Sequence, residues 1–195
     1  LIESIALPGE ILSVTFTNKA ANEMRSRVSD QIGDKASGLK WLGTFHSIGA
    51  QILRTYPEKI GLKNDFIILD TDDQIRLLKQ LIRDENIDDK KWSPKGLLNL
   101  IDKWKNKGIL PGDISPDDGD YFANGKGSIL YRQYQDQLKF FYAVDFGDLI
   151  LECIRLFNEN QDILDQYQNR FKFMLVDEYQ DTNLSQYSLL KLLSN

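Results

Sequence analysis

Three short apolar runs constrain this chain more than anything else in it. ILSVTF (11–16), WLGTF (41–45) and FKFMLV (171–176) are rich in β-branched and aromatic residues, the composition of short buried strands. Thr17 and Asn18, both helix-capping types, follow the first run. KAANEMRSRVSDQI then carries apolar residues at helical spacing as far as Gly33. HSIGAQILRTY follows the second run and ends at Pro57; NLSQYSLLKLL follows the third, with Asn183 or Ser185 as its cap. Strand–helix alternation of this kind predicts an α/β layer on a parallel sheet.

The middle of the chain reads differently. Beyond FIIL (66–69), residues 58–143 hold little strand signal. Thr71 with Gln74 forms a capping box before DQIRLLKQLIRDENI. Ser93 and Pro94 open KGLLNLIDKWKNK, which stops at Gly108. LPGDISPDDGD is loop, and SILYRQYQDQLKFFYAV reads as one long helix. Its Tyr131, Tyr134, Leu138 and Phe141 recur at helical spacing and are expected in a core rather than on a base-stacking platform. The segment is therefore a helical insertion, giving an expected division into 1–57, 58–143 and 144–195.

The third run ends in the acids Asp177 and Glu178 of LVDEYQDTN (175–183). A strand that delivers an Asp to Mg²⁺ and a Glu to the attacking water is one half of a nucleoside triphosphatase. The plainer alternative is a strand whose acids cap the next helix. The other half would be a phosphate cradle, G-x-x-x-x-G-K-[ST]. Gly33 and Gly38 have its spacing, but Leu39 stands where lysine is required, and Gly33 follows a helix. Gly125-Lys126-Gly127-Ser128 follows no strand. The 195 residues contain no phosphate-binding loop.

TFTNKAANEM (15–24) and GTFHS (43–47) share a layout: small polar residues at the end of a strand, then a helix N-terminus. Backbone donors there suit a phosphate, and Phe16 offers a ring face to an unstacked base. Taken alone, the first stretch reads more readily as a buried strand aromatic followed by a helix cap, and His46 as a structural hydrogen-bonder. The one histidine, His46, rules out a multi-histidine metal site, and the one cysteine, Cys153, rules out an internal disulfide. Cys153 sits in the apolar pattern LILECIRLF and reads as a buried thiol in a reducing compartment. A net charge of −5 argues against a wholly basic nucleic-acid coat, not against a local positive groove. The N-terminal LIESIALPGEIL lacks the marks of a secretory signal, and no apolar run spans a bilayer.

Taken in order, TFTNKAANEM, GTFHS, the insertion with FIILDTDDQ, DFGDLI and YQNRFKFMLVDEYQDTN closely resemble the UvrD/PcrA/Rep group of superfamily 1 DNA helicases across the chain. The resemblance implies a partial RecA-like (P-loop NTPase) parallel sheet, the first motor domain (1A), with a mostly helical insertion (1B). It implies ATP and Mg²⁺ as cofactors, with Asp177 serving the metal and Glu178 positioning the water. Thr15, Phe16, Thr17, Asn18, Thr44, His46 and Ser47 would line the track of single-stranded DNA. Gln180 and Asp181 would couple nucleotide state to the DNA contacts. DFGDLI resembles the group's usual DFDDLI, with Gly147 in place of an acid. The phosphate loop would lie upstream of Leu1, with LIESIALPGE as the tail of its helix, so the chain alone is expected to be inactive. The implied parent acts in the cytoplasm on single-stranded and forked DNA, 3′ to 5′, in repair or replication, with repair proteins as candidate partners. FKFMLV would present an unpaired apolar edge and promote self-association. The other readings are a stand-alone single-strand-binding module and a metal-dependent nuclease, which would need a third clustered acid.

Overall fold

Branched and aromatic side chains pack well on a pleated surface and lose χ1 freedom in a helix, and each of the three apolar runs forms a strand, with Phe16, Trp41, Phe45, Phe171 and Lys172 falling outside it. The computed structural model describes residues 6–194, without the side chains of Asp34 and Lys35. The chain divides into two compact units, Leu1–Thr55 with Glu152–Asn195, and Tyr56–Leu151. In chain order the elements are β1 (Ile11–Thr15), α1 (Asn18–Ile32), β2 (Leu42–Thr44), α2 (Phe45–Thr55), β3 (Ile67–Ile68), α3 (Thr71–Asp84), α4 (Pro94–Asn106), α5 (Gly127–Phe140), β4 (Ala143–Val144), α6 (Phe146–Glu159), α7 (Gln161–Arg170), β5 (Phe173–Val176) and α8 (Leu184–Leu193). The expected helix tail in LIESIALPGE falls largely on residues 1–5, which lie outside the described residues; Pro8–Glu10 is a 3₁₀ turn.

The first unit is built on a parallel sheet ordered β2-β1-β5. Ser13 to Thr15 pair with Leu42 to Thr44, and Ile11 to Val14 pair with Phe173 to Val176. Central β1 is buried along its whole length. Ile11, Ala21, Leu39 and Leu42 pack together with Met24, Val28 and Phe173. Trp41 meets Tyr167 and Phe171 edge-on at 5.6 and 5.3 Å. Thr17 caps α1, its Oγ1 accepting from the Ala20 N–H, and Gly33 ends the helix at φ +58°, a conformation that favours glycine. Cys153 is fully buried, its thiol donating to the Gly49 carbonyl, and burial pushes its pKa up.

The strand ending in the acid pair is less buried than its sequence suggests. Phe173, Met174 and Val176 are half-buried and Leu175 is 47% exposed. β5 stands at the end of the strand order, so among the described residues only β1 pairs with it.

The second unit is helical around Leu78, Ile82, Leu97, Ile101, Trp104, Leu130, Tyr131, Tyr134 and Leu138. It also holds a short parallel pair, Ile67–Ile68 with Ala143–Val144. The structure departs from three local expectations in this unit. α3 is capped by Asp70, whose Oδ1 accepts from the Asp73 N–H at 2.9 Å, and not by Thr71. Gln74 turns inward instead, donating to the Leu69 carbonyl. α5 stops at Phe140: Tyr142 takes φ +50°, and Ala143–Val144 pair with β3 rather than extending the helix. Phe141 therefore leaves the buried stripe and is 52% exposed, while Tyr131, Tyr134 and Leu138 are in the core as expected.

Candidate nucleic-acid and nucleotide site

Parallel strands deliver their carboxyl ends to one edge of a sheet, and the register here aligns those ends closely. Thr15 lies opposite Thr44, and Val14 opposite Val176. The Asp177 N–H donates to the Val14 carbonyl at 3.0 Å, so the first acid begins where β1 still pairs. The turns after β1, β2 and β5 are thus neighbours, although the first two are more than 120 residues from the third.

The first two turns hold themselves in shape. Thr15 is buried, and its hydroxyl donates to the Thr17 carbonyl at 3.1 Å. Thr44 is also buried; its Oγ1 accepts from the Ser47 N–H, while Ser47 Oγ donates back to the Thr44 carbonyl at 2.9 Å. These two threonines set turn geometry, and the exposed polar groups are those of Thr17, Asn18 and Ser47. His46 is half-buried beside them. Phe16 is half-buried with its ring 5.5 Å from that of Phe45, tilted by 56°. Phe45 is expected at the end of a strand but begins α2 as a buried residue, which fixes the support under Phe16.

The third turn is more exposed. Asp177, Glu178, Gln180 and Asp181 all face solvent. The carboxylates of Asp177 and Glu178 have no hydrogen-bond or ion-pair partner among the described residues. Glu178 takes φ +49°, ψ +46°, left-handed backbone that a non-glycine residue adopts at a cost of about 1–2 kcal/mol. The Asp181 N–H donates to the Glu178 carbonyl at 2.9 Å and closes a 3₁₀ turn over Tyr179–Asp181. Beside Asp177 lies a cleft of about 370 Å³ lined by Ala20, Glu23, Met24, Arg27 and Val28 of α1.

A single exposed aspartate at a strand end suits Mg²⁺, which keeps most of its water shell. The donor set here therefore fits the metal-and-water half of a nucleotide site. It does not fit the phosphate half, since no glycine-rich loop followed by lysine occurs in the sequence. Among the described residues no three acids, cysteines or histidines gather as a metal-binding group, the arrangement the nuclease reading needs.

Known proteins match the chain along its whole length. The family described as the UvrD/REP helicase N-terminal domain matches residues 1–195. The chain belongs to that family. It is 42% identical over all 195 residues to the ATP-dependent DNA helicase PcrA of Staphylococcus aureus, and 41% identical to that of Staphylococcus epidermidis. It spans 26% of the length of either relative.

Two features of this UvrD/REP-family chain escaped sequence reading. Arg25 donates to the carbonyls of Leu39 and Leu42, at 3.2 and 2.7 Å, pinning the approach to β2 against α1. Its helical position carried a signal, since the neighbouring Met24 and Val28 face inward, but its targets are irregular backbone. The second is Lys105, buried in the second unit with Asp145 and Asp148. It reads as one more cation in the charged run KWKNK.

Proposed function

We propose that this chain is part of an ATP-dependent DNA helicase motor, one that translocates on single-stranded DNA and unwinds duplex, 3′ to 5′, in repair or replication. The alignment of three turns at one sheet edge carries this reading. Thr17, Asn18 and Ser47 contact the backbone of the strand, Phe16 packs on a base, and His46 adds a further contact. Thr15 and Thr44 hold those turns in shape. Asp177 takes the Mg²⁺, which when bound neutralises charge on the β- and γ-phosphates. Glu178 orients the attacking water from its left-handed turn. Gln180 and Asp181, in the same turn, link the nucleotide side to the DNA side. In this reading the protein works on single-stranded and forked DNA in the cytoplasm, with repair proteins among its partners.

These 195 residues supply the acids without the phosphate cradle. Positioning and charge neutralisation provide most of phosphoryl-transfer catalysis, so this stretch by itself does not turn over ATP. The assay is magnesium-dependent phosphate release by the purified chain, with Glu178→Gln as control. No release above the control is expected. A magnesium-dependent rate that the substitution abolishes would overturn the reading of the chain as incomplete machinery.

A second reading, a single-strand-binding module without ATPase activity, is favoured by the exposed polar groups of the first two turns. It requires binding without nucleotide. The half-exposed edge of β5 also promotes self-association; light scattering that shows a monomer at every concentration would rule that out.

A further inference from the structure

Three aromatic residues in a row stand in solvent where α5 ends. Phe140, Phe141 and Tyr142 are 74%, 52% and 41% exposed, although the helix before them buries Tyr131, Tyr134 and Leu138. None of the three rings belongs to the core of the second unit. The rings of Phe140 and Phe141 meet edge-on, 5.4 Å apart and inclined at 74°. Ile67 of β3 donates its N–H to the Tyr142 carbonyl at 3.2 Å, which brings a further exposed apolar residue to the same turn.

The backbone here is held against its preference. The Phe141 N–H donates to the Gln137 carbonyl and the Tyr142 N–H to that of Lys139, which closes α5. Tyr142 takes φ +50°, the left-handed conformation in which helices often end. Glycine adopts it freely, whereas a residue with a Cβ is strained there. Two cations flank the rings. Lys63 Nζ stands 3.9 Å from the centre of the Tyr142 ring, over its face. Lys139, directly before Phe140, is exposed. Neither lysine has an ion-pair partner among the described residues, so the exposed acids closest in sequence, Asp65 and Asp136, neutralise neither.

This pairing of rings with free ammonium groups narrows what can cover the patch. An apolar protein surface would use the rings and leave the cations without a partner. A duplex would bring phosphates but keep its bases stacked on one another. A single strand of nucleic acid brings both, with bases free to stack on rings and phosphates to meet the lysines. The inclination of the two phenylalanine rings points the same way. Bases resting on them cannot stay parallel, and a flexible single strand allows that turn.

We propose that Phe140, Phe141 and Tyr142, with Lys63 and Lys139, form a stacking platform for single-stranded DNA on the second unit, in addition to the turns at the sheet edge. The choice of DNA rests on reading the chain as part of a DNA helicase motor. Phe140 and Phe141 take the bases. Tyr142, one face of its ring covered by Lys63, holds that ammonium beside them for a phosphate, and Lys139 meets another. The left-handed turn at Tyr142 ends the helix so that the rings stand outside the core.

The test uses the full 195-residue chain and an oligothymidylate carrying iodouracil, which on irradiation crosslinks to aromatic side chains in contact with it. Adducts are mapped by mass spectrometry and affinity is read by anisotropy. Adducts on Phe140, Phe141 or Tyr142 are expected. Joint replacement Phe140→Ala and Phe141→Ala should weaken binding about tenfold. Tyr142→Gly suits the left-handed turn, so it is expected to weaken binding with no loss in the urea midpoint, and it keeps the test decisive should the double variant misfold. Adducts confined to the sheet edge, with affinity unchanged in the variants, overturn the platform and leave the sheet-edge reading standing. Adducts confined to Phe140–Tyr142 support the platform and count against the sheet edge. An absence of oligonucleotide binding overturns both. A double variant that loses self-association but binds DNA as before makes the patch a contact between copies of the chain, and that too overturns the platform.

Discussion

Two pairs of acids in this chain live in opposite surroundings. Asp145 and Asp148 are sealed from water around Lys105, with each carboxylate oxygen accepting at least one hydrogen bond. Asp177 and Glu178 stand in solvent with no protein partner among the described residues. The same functional group thus does two jobs. Sealed carboxylates are committed to the fold, because removing their partner strands a charge. Open carboxylates at a strand end leave their lone pairs for a ligand, and they contribute little to stability. Glu178 goes further, since its left-handed backbone opposes folding. Backbone strain of this kind clusters at functional positions, in keeping with the role proposed for Glu178.

The contrast can be broken most sharply at Lys105. Lys105→Met would leave two buried carboxylates without their cation and should destabilise the chain by about 3–5 kcal/mol, read from the urea midpoint. A loss below about 1 kcal/mol would mean that water reaches the cluster after all. Gly147→Ala comes next. Its methyl would press on the Lys105 stem, so a destabilisation of about 1–3 kcal/mol is expected, smaller because the contact is with an aliphatic chain. At the exposed pair the sign reverses. Glu178→Gly should stabilise by about 0.5–1 kcal/mol, since relief of the left-handed strain outweighs the extra freedom glycine gives the unfolded chain. The smallest effect belongs to Asp177→Asn, within about 0.5 kcal/mol of the native chain in urea. A large loss there would place Asp177 with the structural acids and undo the comparison.

How legible each region was follows from how far apart its parts lie in sequence. The α/β class, the start of β1, the ends of α1, and the Ser93 cap of α4 rest on neighbours within a few residues, and all were readable. The acid pair was readable because a strand and its terminal residues are contiguous. Lys105 was not, because its partners are 40 and 43 residues away and no local pattern separates a buried lysine from a solvated one. DFGDLI looked like a family motif with one acid missing. Its physical content, a glycine that lets a lysine stem lie against the turn, appears only with α4 in place. The end of α5 failed for a related reason. LKFFYAV favours a helix locally, but pairing with Ile67–Ile68 draws Ala143 and Val144 into a strand. At the site, the strand-end threonines were legible, but not that both are buried and hydrogen-bonded within their own turns, which depends on the packed sheet.

In the proposed function, the carboxyl edge of the β2-β1-β5 sheet receives a single strand of DNA, with Phe16 as its stacking surface. Fluorescence anisotropy of a labelled oligonucleotide, titrated with the purified chain at several salt concentrations, tests it most directly when native chain and Phe16→Ala are run side by side. Binding that weakens as salt rises is expected, with a loss of about 1–3 kcal/mol on removing the ring. Binding of equal strength with and without the Phe16 ring, or no salt-sensitive binding by either chain, would contradict it.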